Sequence, residues 1–159
     1  MGTKAKMRFA DDDGEELVWR QLDGYPRIVL NHVHDIIERL ESRTGNSPHP
    51  PGLAGLLVAV GARSPHCPYR DYEDEIEAAI HCNYKLIRRE RYEGAWADFA
   101  YDFRLRAGEQ WHVRIGVGDF PDDYRLRWSD EVPVDEAVDR WGDIGVEERE
   151  NAAELLGIE

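Results

Sequence analysis

Two adjacent pairs, His66-Cys67 and His81-Cys82, carry the donor types that a zinc ion takes. Their spacing is not that of a metal knuckle. No CxxC or HxxxH run is present, and neighbouring helical residues point about 100° apart, so His81 and Cys82 do not readily hold one ion together. A buried cysteine and a surface histidine are the simpler assignment for each pair. Cys67 as a nucleophile would need a base and a lowered pKa, and only its chain neighbour His66 is at hand. His32 and His34 stand two residues apart on a helical pattern and so face apart. The acid pairs Asp122-Asp123 and Glu147-Glu148 arise readily by chance in a chain with 33 acids. Gly116-Val117-Gly118 follows a strand pattern but lacks the GxGxxG spacing and the helix that a phosphate-binding loop needs. Periodicity sends most of the tryptophans (19, 96, 111, 128 and 141) to the core. Trp96, beside Gly94 and Ala95, is left as a candidate contact residue. No nucleophile, base and acid assemble. The expectation is a non-enzymatic protein with no cofactor and no metal ligand set, a metal-dependent enzyme being the catalytic alternative.

Charge is the stronger signal. The 159 residues carry 33 acids against 20 bases, a net of −13. Binding of nucleic acid through bulk charge is therefore disfavoured. The bases are 17 Arg and 3 Lys, as in salt-adapted or GC-rich sequences. Residues 119–159 hold 14 acids and 4 Arg, a net of −10, so the negative charge is mostly C-terminal. The outward positions of the expected strands are basic instead: Lys6, Arg8, Arg20, Arg104, Arg106, Arg114, Arg125 and Arg127. If these strands share a sheet, one face is rich in arginine. Such a face is often no more than solvated surface, but it, or the acidic end, could dock a charged partner.

The elements that would position these groups follow from hydrophobic period. Ala5, Met7 and Phe9 alternate with Lys4, Lys6 and Arg8, and the turn Asp11-Asp12-Asp13-Gly14 leads to a second strand over 16–21 with Leu17 and Trp19 inward. Pro26 opens a helix over 26–43 that carries Val29, Val33, Ile36, Ile37 and Leu40, stopped by Thr44-Gly45-Asn46. A short buried helix spans 53–60, and Ser64 to Pro68 is loop. A helix begins at Asp71 and continues to about Arg89, although Cys82, Tyr84 and Leu86 also alternate like a strand. Phe99, Tyr101, Phe103 and Leu105, then Trp111, Val113, Ile115 and Val117, mark a second hairpin. Tyr124, Leu126 and Trp128 give a further short strand. Two short helices follow, one with Val134, Val138 and Trp141 and one over 146–156. The expected fold is α+β: an antiparallel sheet of four to five strands, built from two hairpins, with helices on one face. The expected division is a core domain over 1–118 and an acidic helical extension over 119–159.

The opening MGTKAKMRFADDDGEELVWRQLDGYP resembles an uncharacterised family of small phage, prophage and mobile-element proteins. Its members begin with MGTRA, pass an acidic turn and reach a Y-R-x-x-D-G-Y-P stretch before a helix. The matching residues are Met1, Gly2, Thr3, Ala5, Asp12, Gly14, Arg20, Asp23, Gly24, Tyr25 and Pro26, and the aromatic hairpin at 97–117 fits as well. Trp19 stands where Tyr is usual and Leu22 where Trp is common. The resemblance implies a genomic setting rather than a chemistry.

These readings converge on an acidic accessory protein that acts by binding another macromolecule, as an inhibitor of a host defence or nucleic-acid-handling complex. Asp135, Glu136, Asp139, Asp143, Glu147 and Glu148 would imitate a phosphate array, with Trp141 as anchor. Arg104, Arg106, Arg114, Arg125 and Arg127 form the secondary, basic surface. The expected partner is a host protein that normally binds nucleic acid, with no direct contact to nucleic acid or membrane. A virion or assembly subunit that self-associates is the alternative. No apolar h-region and no run near 18 apolar residues is present, so the expected setting is the cytoplasm, reduced and without disulfides.

Overall fold

The computed structural model describes residues 2–60, 84–106, 110–120 and 122–158. The pairs His66-Cys67 and His81-Cys82, and the expected helix from Asp71 up to residue 83, lie outside them. Strands β1 (Ala5–Ala10) and β2 (Glu15–Arg20) form an antiparallel hairpin. The Asp11 carboxylate closes its turn by accepting the N–H groups of Asp13 and Gly14 at 2.9 and 3.0 Å. Those donors come first among the causes that hold the Asp11 carboxyl below its ordinary pKa.

The Asp23-Gly24-Tyr25-Pro26 turn docks back on β1. Gly24 donates to the Thr3 carbonyl at 2.8 Å, and its carbonyl accepts the Tyr101 hydroxyl at 2.7 Å. A Cβ on Gly24 would come within 2.5 Å of the Ala5 Cβ. The conspicuous opening motif is thus a close-packed joint between turn and strand.

Helix α1 (Pro26–Thr44) buries Ile28, Val29, Val33, Ile36 and Ile37. It ends at Gly45, whose φ of 76° is left-handed and whose N–H caps the Glu41 carbonyl. His32 is buried on the same side, with Nδ1 2.5 Å from the Tyr84 hydroxyl. Helix α2 (Pro50–Val60) buries Leu53, Ala54 and Leu57 and leaves Leu56 at the surface.

Tyr84–Leu86 is strand β3, paired antiparallel with β2, rather than the end of a helix. Alternation prevails here because Tyr84 fits against His32 and Arg20. After β3 come a short helix α3 (Arg89–Gly94) and strands β4 (Phe99–Arg106), β5 (Gln110–Asp119), β6 (Arg125–Trp128) and β7 (Val132–Pro133). Helix α4 (Val134–Trp141), a 3-10 turn (Val146–Asn151) and helix α5 (Ala152–Leu155) complete the order.

The fold is α+β, and its sheet is mixed, ordered β3-β2-β1-β4-β5-β6 with β7 also on β5. Every pair is antiparallel except β1 with β4, which is parallel. This corrects the expected all-antiparallel sheet of four to five strands. The connection that contains α1 and α2 returns the chain to the start of the sheet, so the second hairpin joins the first in parallel. A division after residue 118 does not separate two bodies. β5 runs through it, and Val132, Val134, Ala137, Trp141, Ile144, Ala152 and Leu156 belong to the same core as Met7 and Phe103. No helix among the described residues is long and apolar enough to cross a membrane.

Candidate functional site

Register decides which side chains share a face. Ala5, Met7 and Phe9 pair across to Phe99, Tyr101 and Phe103, and all lie in the core with the helices. In β2 the inward residues are Val18 and Arg20, not Leu17 and Trp19. Arg20 is fully buried, its guanidinium 4.6 Å from the centre of the Tyr84 ring.

The alternate residues make the opposite face. Arg8 pairs with Asp102, Asp102 with Arg114, and Arg104 with His112. Asp102 is only 3% exposed at the middle of this face. Three guanidiniums surround its carboxylate: Arg8 Nη1 at 3.3 Å, Arg104 Nε at 3.3 Å and Arg114 Nε at 3.1 Å. Arg8 also binds Glu15, which binds Arg89. The guanidinium of Arg114 lies 4.2 Å from the centre of the Trp128 ring. Arg104 and Arg114 reach Asp102 through Nε alone, and among the described residues their Nη groups donate to no other side chain or carbonyl. Both side chains remain partly exposed, 35% for Arg104 and 39% for Arg114.

Lys6 anchors α3 onto the same face. Its Nζ donates to the carbonyls of Tyr92 at 2.9 Å and Ala95 at 3.1 Å, between the rings of Tyr92 and Tyr124. Burial lowers the Lys6 pKa, and Glu93 works in the other direction. Burial likewise raises the phenols of Tyr92 and Tyr124, with Asp102 adding to the shift of Tyr92. Beyond Tyr124 lies a cluster of three rings. Trp96 stacks on Tyr124 at 5.8 Å and 19°, and Phe120 stacks on Tyr124 at 5.6 Å and 28°. Trp96 is 48% exposed and Phe120 43%. Gly116 lies under Trp128, where a Cβ would meet the indole at 3.1 Å, and Gly118 under both the Ala97 carbonyl and Tyr124, where a Cβ would come within 2.2 and 2.9 Å. On the far side of α3, Trp19, Lys85 and Arg91 line a groove of about 430 Å³.

The five arginines expected to form one surface are divided. Arg104, Arg106 and Arg114 lie on the face of Asp102, and Arg106 forks onto Glu131 at 2.7 and 3.0 Å. Arg125 and Arg127 pair with Asp119 and Val117, which have the opposite parity. They project on the other side, where Arg127 binds Asp119 at 2.8 Å. Arg8 and Asp102 complete the site; the sequence marks Arg8 only as one of the outward basic positions and does not single out Asp102. The strand parity of Arg8, Asp102, Arg104 and Arg114 was the available signal. Arg8 and Asp102, however, are 94 residues apart and meet only through the parallel pairing.

The acidic residues take other places. Asp135, Glu136, Asp139, Asp143 and Glu147 are exposed. Glu148 accepts the Gly145 N–H at 2.8 Å as a turn cap. Glu147 and Glu148 face Arg27, and Glu136 faces Arg140. Trp141 is 1% exposed, a core residue rather than a surface anchor, because it closes α4 against α1. Asp135 Oδ1 lies 2.9 Å from His34 Nε2, and His34, Asp35 and Glu38 bring potential ligand atoms within 4.8 Å of one another on the surface. Trp111 is in the core as expected, whereas Trp19 and Trp128 are half-buried on the basic face.

No family model, curated protein or solved structure matches this chain.

Proposed function

We propose that this is a non-catalytic accessory protein that docks an anionic macromolecular partner on the sheet face centred on Asp102. The observation that carries the reading is the Asp102 carboxylate among three arginines, two of which keep Nη groups without a partner among the described residues. Asp102 holds the guanidiniums in place without saturating them. Each free fork matches a carboxylate or phosphate. Magnitude supports binding over stability as the role of the cluster. A partly exposed ion pair contributes about 0–1 kcal/mol, so three of them are a poor way to hold a sheet together.

The test is retention on heparin at low salt. The full chain should be held despite its net charge of −13 and should elute as salt screens the contact. The Arg104→Glu/Arg114→Glu variant, with an unchanged circular dichroism spectrum, should pass through. Wild-type protein in the flow-through, or co-elution of the two, would defeat the reading.

A second reading has its own support in the exposure of Asp135, Glu136, Asp139, Asp143 and Glu147 on α4 and the turns after it. In this reading the acids imitate the phosphates of nucleic acid and occupy a host complex that handles it, as the resemblance to phage and mobile-element proteins suggests. Amide replacement at 135, 136 and 139 should then abolish competition with DNA for that complex. In the first reading the same replacement does not reduce heparin retention.

A further inference from the structure

We infer that the anionic partner of the basic face is a single-stranded nucleic acid, with phosphates on the Arg104 and Arg114 forks and a base stacked on Trp96. The inference rests on the docking reading above and specifies its ligand. Two features that a polyanion alone would not require lie together here. The first is the ring cluster: Trp96 presents an exposed indole already stacked on Tyr124, itself 5.6 Å from Phe120. The second is continuity. Tyr124 packs over Gly118 and Trp128 over Gly116, and Arg114 lies across Trp128 on the same strand face. Rings and forks therefore follow β5 from Gly118 to His112. Six steps of about 3.4 Å make a track of about 20 Å.

Single strands are held by this combination of a cationic track and aromatic platforms on which bases stack irrespective of sequence. A duplex offers no free base to Trp96, and an acidic peptide supplies carboxylates without the repeated flat rings. Of the net charge of −13, −10 belongs to residues 119–159, the segment that also supplies Phe120, Tyr124 and Trp128. This charge limits the attraction to this one face and keeps the footprint short, near the lower end of the roughly 4–16 nucleotides that single-strand grooves take.

The experiment measures fluorescence anisotropy of the full chain with three labelled probes of equal length: an oligothymidylate, its abasic counterpart and a polyglutamate. The oligothymidylate should bind about tenfold tighter than either of the others, the size of one stacking contact. Trp96→Ala should lower its affinity to that of the abasic strand. Arg104→Gln and Arg114→Gln should each reduce the slope of log affinity against log salt by about 0.7, one phosphate apiece. Equal affinity for oligothymidylate and abasic strand, or for oligothymidylate and polyglutamate, overturns the inference. If heparin still retains the protein in that case, the docking reading survives with an acidic protein as partner. If heparin does not, both fall together.

Discussion

The two faces of the sheet are built from alternate residues of the same strands, and they are held in different ways. On the helix side, Met7, Phe9, Tyr101 and Phe103 are fully buried beneath α1 and α2. Stability there comes from apolar area at about 25 cal/mol per Å². One cation, Arg20, is accommodated by the Tyr84 ring. On the other side, Lys6, Arg8, Asp102, Arg104 and Arg114 form a charged lattice in which some donors stay unused. The first face is covered by helices and the second is left partly open. A surface that leaves guanidinium forks open while burying their organising carboxylate is arranged to receive something.

The largest test of this contrast pairs two tryptophans. Trp141→Ala should cost about 3–5 kcal/mol, because the side chain is core. Trp96→Ala should stay within about 0.5 kcal/mol, as a surface change. Urea denaturation of the two variants measures both, and similar losses would erase the distinction.

Alkaline pH should come next in effect. Burial, helped by Asp23, pushes the Tyr25 phenol up to about 12, and burial also raises Tyr92, Tyr101 and Tyr124. An unfolded tyrosine ionises near 10. The contribution of each is therefore complete below about pH 10 and falls as the pH rises toward the folded value. Lys6 acts in the opposite sense: its lowered pKa makes its own contribution improve with pH up to the ordinary 10.5. Four tyrosines outweigh one lysine, so the urea midpoint should drop as the pH rises from about 10 to about 12. Phenolate absorbance should rise with unfolding and not before it.

A smaller change in stability than that of Trp141→Ala comes with a more pointed readout. Asp102→Asn removes the charge that organises three arginines. These are partly exposed, so the loss should be about 1–2 kcal/mol rather than the larger cost of a fully buried pair. The same variant should elute from heparin at higher salt, since the face gains a net positive charge. Lower stability together with weaker retention would mean that Asp102 matters for the positioning of the forks more than for their neutralisation.

Much of the fold was legible because alternation and helical period are local. Met7 and Phe9, the run Phe99 to Leu105 and the run Trp111 to Ile115 sit where their period puts them. Glu15–Arg20 was ambiguous by the same rule. Leu17 with Trp19 and Val18 with Arg20 are both regular choices, and a pattern that counts Arg as outward chooses wrongly when a tyrosine ring awaits it. β6 posed a related problem. Its alternation separates Leu126 and Trp128 from Arg125 and Arg127, but only pairing with Gly116 and Val117 tells which set lies beside Asp102. The acidic end of the chain was conspicuous by composition, while its contribution to the core through Ala137, Trp141 and Leu156 was not. The candidate site was the least legible part, because its centre joins Arg8 to Asp102 across most of the chain.

The parallel seam between β1 and β4 also bears on how the molecule is made. The hairpins β1–β2 and β4–β5 each close over a few residues, whereas the seam joins Ala5 to Phe99 and waits for everything between them. Local pairings form fast and distant ones slowly. The order of assembly is therefore two early ribbons and one late weld. Arg8 and Asp102 meet at the weld, so the charged lattice requires that this distant pairing has formed.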